Sequence, residues 1–117
     1  MIEVDGARFE ELVAAALDEL PQPLADGLEN VMIRVRPGRS TGGLLGKYEG
    51  IPLTEREEYG GWGHAPMPDQ VTLYRLPICA ICETEDEVAE QVRITVIHEL
   101  AHHYGIDDDR LDELGWA

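Results

Sequence analysis

The stretch that decides the fold lies near the C-terminus and reads HELAHHYGIDD, residues 98–108. His98 and His102 are four residues apart, so in a helix their rings project from the same face. Two imidazoles placed in this way can hold one zinc ion, with each Zn–N bond at about 2.0–2.1 Å. Glu99 lies about 100° further round the helix. From there its carboxylate can take a proton from a metal-bound water, which makes Glu99 the candidate general base.

The residues after the second histidine predict a helix end and a third metal ligand. Gly105 can adopt the left-handed conformation that terminates a helix, after which the chain can turn back. The spacing then favours Asp108 as the third ligand, with Asp107, Asp109 and Asp112 as alternatives. We therefore expect one zinc ion held by two histidines and an aspartate.

The helix that carries the histidines is predicted to be long and buried. It should begin at Thr84, because Thr84 and Glu87 form a capping box and acidic residues favour the positive end of a helix. From Val88 to Tyr104 the apolar residues cover well over half of a helical wheel. Polar side chains on such a helix need partners, and a metal would satisfy both histidines at once.

The rest of the chain predicts a helix and several short strands. Periodicity indicates an amphipathic helix over residues 6–20, ended by Pro21 and Pro23. Residues 31–36 predict a half-buried strand, and residues 45–53 a short strand pair or a bent strand. Residues 71–76 predict a strand that ends at Pro77. Because this strand directly precedes the metal helix, we take it as the candidate edge strand for a peptide substrate.

These elements together predict a compact α+β fold in a single domain over residues 1–117. The fold should combine an N-terminal helix, a small mixed sheet and a buried C-terminal metal-binding helix. The polar, turn-rich loop over residues 54–69 is long enough to suggest a function. Candidates for stabilising an oxyanion are Tyr59, His64, Tyr74 and His103, none of which the spacing singles out.

Two cysteines form the C-x-x-C pair Cys79 and Cys82. No second pair follows to complete a structural zinc site. The carboxylates just after Cys82 would raise a thiol pKa, which opposes a redox role. We therefore expect both cysteines to be packing residues.

The charge of the chain limits its partners. The formal net charge is −15, from 24 acidic and 9 basic residues, so phosphate backbones are repelled and nucleic acid is not an expected partner. No stretch approaches the roughly 20 apolar residues of a membrane span, and the N-terminus shows no signal-peptide pattern. We expect a cytoplasmic protein that acts on a peptide or protein, without a membrane partner; the sequence does not specify an oligomeric state.

The extended motif H-E-x-x-H-x-x-G-x-x-D resembles that of the zincin metallopeptidases, with aspartate in place of the third histidine of the metzincins. Unlike the metzincins, the chain has no methionine after this motif. The chain is more similar to the small bacterial zincin-like metallopeptidase family, from about Val31 to Trp116. The similarity rests on LGKYEGIPL (residues 45–53), PDQVTLYR (68–75) and the motif itself.

That resemblance implies a compact α+β zincin fold with the metal-bearing helix near the C-terminus. It also implies His98, His102 and Asp108 as ligands and Glu99 as the base. The leading hypothesis is therefore a zinc-dependent peptidase. A first alternative is a metal-stabilised binding module without catalysis. A second is a metal-dependent ribonuclease, since the ligand spacing also resembles that of bacterial RNA-maturation metalloproteins, but the negative charge opposes it.

Overall fold

A computed structural model describes residues 1–28, 31–39, 43–50, 69–103, 105 and 108–114. Five helices and three strands lie in this part of the chain. The helices are α1 (Gly6–Asp18), α2 (Gln22–Gly27), α3 (Arg75–Ala80), α4 (Glu85–His103) and α5 (Asp108–Leu114). The strands are β1 (Val31–Arg36), β2 (Gly46–Glu49) and β3 (Asp69–Tyr74). The predicted compact α+β class is confirmed.

The three strands form a mixed sheet in the order β1–β3–β2. β1 runs parallel to β3, and β2 runs antiparallel to it. β3 is therefore the central strand, with Val71 and Leu73 fully buried. The prediction that residues 71–76 form the edge strand for a peptide is wrong, because both sides of β3 are already paired. The edge strand that contacts α4 is β2.

The central strand also ends earlier than predicted. Its last residue is Tyr74, and α3 begins at Arg75, so Leu76 and Pro77 are helical. Pro77 is the third residue of α3. A proline is tolerated there because the first N–H groups of a helix have no intrahelical partner.

The N-terminal half follows the predicted periodicity. The amphipathic helix is confirmed as α1, which ends at Asp18, and β1 is confirmed as a half-buried strand over residues 31–36. The Asp5 side chain caps α1 by accepting the Arg8 N–H at 2.8 Å. The two prolines that follow α1 begin a second helix: Pro21 is the N-cap of α2, and Pro23 lies in its first turn.

The core forms around α4, which packs against α1, β2 and β3. Its fully buried residues are Val88, Val92, Val96, Ile97, Leu100 and Ala101. This confirms the prediction of a buried helix near the C-terminus. The predicted capping box is half formed: Thr84 Oγ accepts the Glu87 N–H at 3.1 Å, whereas the Glu87 carboxylate accepts from Glu83 N–H at 2.7 Å.

The end of α4 has the predicted geometry. Gly105 has a φ of +79°, in the left-handed region, and its N–H donates to the His102 carbonyl at 3.1 Å. The chain then enters α5, whose Leu111 is fully buried against the core. Within the described residues, none of the helices combines the length and apolar character that crossing a membrane requires.

Cys79 and Cys82 are free thiols buried in the core. Burial raises the pKa of both thiols. The carboxylate of Glu87 raises the pKa of Cys82 further, whereas Arg75 partly offsets the effect of burial on Cys79. Both placements agree with the predicted packing role.

This burial predicts slow thiol chemistry in the folded protein. With Ellman's reagent at pH 8, we expect the native chain to react at least about tenfold more slowly than the same chain in guanidinium, since buried thiols carry little thiolate and exclude the reagent. Because the thiol pKa values are raised, the native rate should increase as the pH is raised above 8. Equal rates in the native and unfolded states would contradict the burial.

Candidate metal centre

His98 and His102 lie side by side on α4, as their spacing predicts. Their ring centroids are 5.8 Å apart and the ring planes are tilted by 33°. Two imidazoles on one tetrahedral zinc have centroids roughly 5 Å apart, given Zn–N bonds of about 2.0–2.1 Å. His98 is half-buried and makes no hydrogen bond with any residue of the described part, so its ring nitrogens can accept a metal. The centroid distance of the pair is therefore close to that of two imidazoles bound to one zinc ion.

Glu99 is half-buried beside this histidine pair. Its Oε2 accepts the backbone N–H of Tyr48, a residue of β2, at 3.2 Å. Its other oxygen, Oε1, receives no hydrogen bond from a described residue. The edge strand thus fixes one oxygen of the candidate base and leaves the other able to accept a proton.

The third ligand stays a prediction, as do the metal-binding roles of His98 and His102 and the role of Glu99 as the base. Asp108 is the first residue of α5, but its side chain lies outside the described part of the chain, as does all of Asp107. Asp109 and Asp112 are exposed on α5. No three His, Cys, Asp or Glu side chains come together to hold a metal among the side chains that the structure describes. Asp109 and Asp112 therefore do not complete a site with the histidine pair.

The strand β2 runs along α4 so that the residue spacing of the strand matches that of the helix. Two residues of a strand advance about 6.4–6.8 Å, and four residues of a helix advance about 6 Å. Every second residue of the strand segment can therefore meet every fourth residue of the helix. We call this contact the seam, formed by Gly46, Tyr48 and Gly50 on the strand side and by Thr95, Glu99 and His103 on the helix side.

The tightest point of the seam is Gly46. A Cβ atom at this position would lie 2.6 Å from Thr95 Cγ2 and 3.1 Å from the carbonyl oxygen of Thr72. Thr95 is buried and its Oγ donates to the Gln91 carbonyl at 2.8 Å, which holds the side chain in place. Only glycine allows the strand to approach the helix this closely.

The other end of the seam is an aromatic and carboxylate cluster. The Tyr48 ring stacks on His103 with a centroid distance of 3.9 Å and an interplanar angle of 17°. The Tyr48 hydroxyl donates to Asp69 Oδ2 at 2.7 Å, and His103 Nε2 lies 3.8 Å from the same oxygen. His103 therefore belongs to the seam rather than to the neighbouring histidine pair.

A cavity of about 230 Å³ opens beside the candidate site, and His98 and Glu99 form part of its wall. The remaining lining residues are Leu44, Leu45, Gly46, Gln91, Ile94 and Thr95. Tyr74, a predicted oxyanion candidate, instead lines a different cavity with Gly38 and Pro77. The candidates Tyr59 and His64, and residues 54–68 of the predicted functional loop, lie outside the described residues.

The sequence assigned no role to Tyr48 or Asp69, although both contact the candidate site or its neighbours. Tyr48 lies in the stretch 45–53 and Asp69 in the stretch 68–75, two of the three stretches on which the family resemblance rests. The sequence does contain a pattern that matches the seam, because Gly46, Tyr48 and Gly50 are spaced by two residues. This pattern indicates a contact only when the helix face that these residues meet is known.

The profile of the zincin-like metallopeptidases matches residues 28–116. The chain therefore belongs to the zincin-like metallopeptidase family, which confirms the resemblance found in the sequence. A conserved hypothetical protein from Thermus thermophilus has a similar structure, with a TM-score of 0.53 and 23% sequence identity. The alignment covers 86% of this chain and 94% of that protein, and at this identity it concerns the fold alone. No curated protein matches the chain.

The tight contact at Gly46 predicts the effect of adding one methyl group. Gly46→Ala should lower the free energy of unfolding by about 1–3 kcal/mol, because the new Cβ overpacks the seam. In the background of Thr95→Ser, which removes Cγ2 and keeps the hydroxyl bonded to Gln91, the loss should be smaller. Urea denaturation monitored by circular dichroism measures both.

The matched control is Gly6→Ala, at the first residue of α1, where an added Cβ meets nothing within 4 Å. It should leave stability within about 0.5 kcal/mol of the wild type or raise it slightly, by restricting the unfolded chain. A Gly46→Ala variant as stable as Gly6→Ala would show that the seam is looser than described.

Proposed function

We propose that this protein is a zinc-dependent peptidase that hydrolyses peptide bonds with Glu99 as its general base. His98, His102 and Asp108 would hold one zinc ion. The observation that carries the proposal is that His98, whose ring lies beside that of His102, and the strand-bound carboxylate of Glu99 line the same cavity. Membership of the zincin-like metallopeptidase family supports a metal-dependent, protease-like activity.

When bound, zinc supplies Lewis acidity, which lowers the pKa of a coordinated water and polarises a scissile carbonyl. The protein's own residues supply the proton transfer. Glu99 accepts the proton of the attacking water through Oε1 and passes it to the leaving amine. The hydrogen bond from Tyr48 N–H to Oε2 orients the carboxylate during both transfers.

The structure also supports a site for the substrate chain. β2, rather than β3, is the edge strand beside α4. Because the Tyr48 N–H already donates to Glu99, an extended peptide would pair with the other outward backbone groups of β2. One substrate side chain would enter the cavity of about 230 Å³. The walls formed by Leu44, Leu45 and Ile94 favour an apolar side chain there.

The two alternative functions receive less support. A metal-dependent ribonuclease fits neither the metallopeptidase family nor the net charge of −15. A binding module without catalysis is the outcome expected if zinc binds and no peptide is cleaved.

Removing the base tests the peptidase proposal directly. Glu99→Gln should keep one zinc per chain and lower kcat on a quenched-fluorescent peptide library by about 10²–10⁴-fold, the typical contribution of a general base. The matched control is Glu90→Gln, which removes an exposed carboxylate paired with Arg93 on the same helix. It should retain both zinc and activity.

Two results would contradict the proposal. Hydrolysis by Glu99→Gln at the wild-type rate would remove Glu99 from the mechanism. Zinc-loaded wild type that cleaves nothing across the library would identify a metal-stabilised binding module instead.

A panel of ligand variants tests the metal site separately. His98→Ala and Asp108→Asn should each weaken zinc affinity by more than about 100-fold, exceeding the loss typical of outer-shell changes. Asp109→Asn and Asp112→Asn are matched aspartate controls on α5 and should bind zinc as the wild type does. Competition against a chromogenic chelator measures the affinities. Wild-type affinity in Asp108→Asn would exclude Asp108 as a ligand.

A further inference from the structure

Tyr48 lies in the edge strand β2, and its backbone N–H and C=O groups point away from β3. In an antiparallel pair, alternate residues direct both of their backbone groups toward the partner strand. The Leu45 carbonyl accepts the Tyr74 N–H at 2.9 Å, so every second residue from Leu45 onward faces β3. Tyr48 is out of phase with this set, and its N–H instead donates to Glu99. Hydrogen bonds to β3 therefore hold the two neighbours of Tyr48, Lys47 and Glu49, while the Tyr48 N–H is directed outward.

The Tyr48 side chain adds a further constraint. Its hydroxyl donates to Asp69 Oδ2 at 2.7 Å, and its ring stacks on His103. Asp69 begins the central strand β3, and its side chain is only 17% exposed. His103 lies one helical turn beyond Glu99, on the same face of α4. Tyr48 is thus anchored both to the sheet, through Asp69, and to the helix that carries the base, through His103.

We infer that Tyr48 is a positioning residue for Glu99, anchored through its phenol by Asp69. The chain of contacts runs from Asp69 to the Tyr48 hydroxyl, through the Tyr48 backbone, and from its N–H to Glu99 Oε2. This inference rests on the proposed function, in which Glu99 is the base. It adds two residues, Tyr48 and Asp69, that touch neither substrate nor metal in that scheme.

The size of the effect follows from how strongly catalysis depends on orientation. A displacement of about 1 Å of a catalytic group can cost about 10²-fold in rate. Loss of the Asp69 anchor leaves the stacking on His103 and the N–H bond to Glu99 in place, so the displacement should be smaller than that. We expect a loss of about tenfold in kcat.

Kinetics on the zinc-loaded protein test this expectation. Tyr48→Phe and Asp69→Ala should each lower kcat about tenfold and change KM by less than about twofold, because orientation of the base acts on the chemical step. Asp69→Asn, whose amide oxygen can still accept the phenol, should recover most of the loss. The double variant Tyr48→Phe/Asp69→Ala should be no slower than either single variant, since both remove one bond.

The matched control is Gln70→Ala. Gln70 follows Asp69 in β3, and its side chain accepts from Arg34 Nη1 at 2.8 Å, away from the seam. It removes a side-chain hydrogen bond from the same strand, so it reports the cost of a merely structural change. Its kcat should match that of the wild type even if its melting temperature falls as far as that of Asp69→Ala.

Hydrogen exchange of the residue 48 amide tests the linkage without any activity. In the metal-free protein, Glu99→Ala should speed this exchange, because it removes the acceptor. Asp69→Ala should also speed it, by at least about threefold, whereas Gln70→Ala should not. The Asp69 result is the informative one, since that side chain does not touch the amide.

The two measurements separate failure of this inference from failure of the proposed function. Unchanged residue 48 exchange in Asp69→Ala would overturn the linkage, whatever the activity. Wild-type kcat in Tyr48→Phe, beside a Glu99→Gln variant that is inactive, would overturn the positioning role while keeping the base. If the wild type cleaves no peptide, the proposed function fails, and the positioning of a catalytic base fails with it.

Discussion

The close approach of a short edge strand to the long buried helix is the constraint on which the candidate site depends. At Gly46 the strand lies so near Thr95 that no side chain fits between them. This contact brings the Tyr48 amide within hydrogen-bond distance of Glu99, two residues further along the strand and one turn further along the helix. A strand held even slightly further away would leave the Glu99 carboxylate without its backbone partner.

The helix α4 has three faces with different surroundings. One face is buried in the core, with Val92 and Val96 among its fully buried residues. A second face meets the edge strand along the seam. A third carries His98 and His102, about 100° from the seam because each histidine precedes a seam residue by one position. Two series of residues, each spaced by four and offset by one position, thus place the candidate metal ligands and the strand contact on different faces of one helix.

Local spacing in the sequence predicts much of this arrangement. The histidine pair, the burial of α4 and the left-handed Gly105 all follow from residues within one or two helical turns of each other. The contacts that complete the site are not local: Tyr48 and Glu99 are 51 residues apart, and Tyr48 and Asp69 are 21 apart. Periodicity within a segment does not specify which segments meet, so neither contact could be read from the pattern.

The wrong assignment of the edge strand has the same physical origin. Residues 71–76 alternate like a strand with one solvent-exposed face, and they form the last predicted strand before α4 in the chain. In the structure Thr72 is only 6% exposed, because β3 is covered on both faces and paired on both edges. Adjacency in the chain does not decide order in a sheet. β2 lies beside β3 because the backbones of the two strands are hydrogen-bonded, although 19 residues separate them in the sequence.

The seam also covers part of the exposed edge of β2. An exposed strand edge is a template on which other chains can extend a sheet, and proteins limit it by making edge strands short, charged or covered. β2 has four residues, its exposed Lys47 and Glu49 carry charge, and one of its outward amides is already bonded to Glu99. The contact that orients the candidate base therefore also occupies part of an edge on which another chain could extend the sheet.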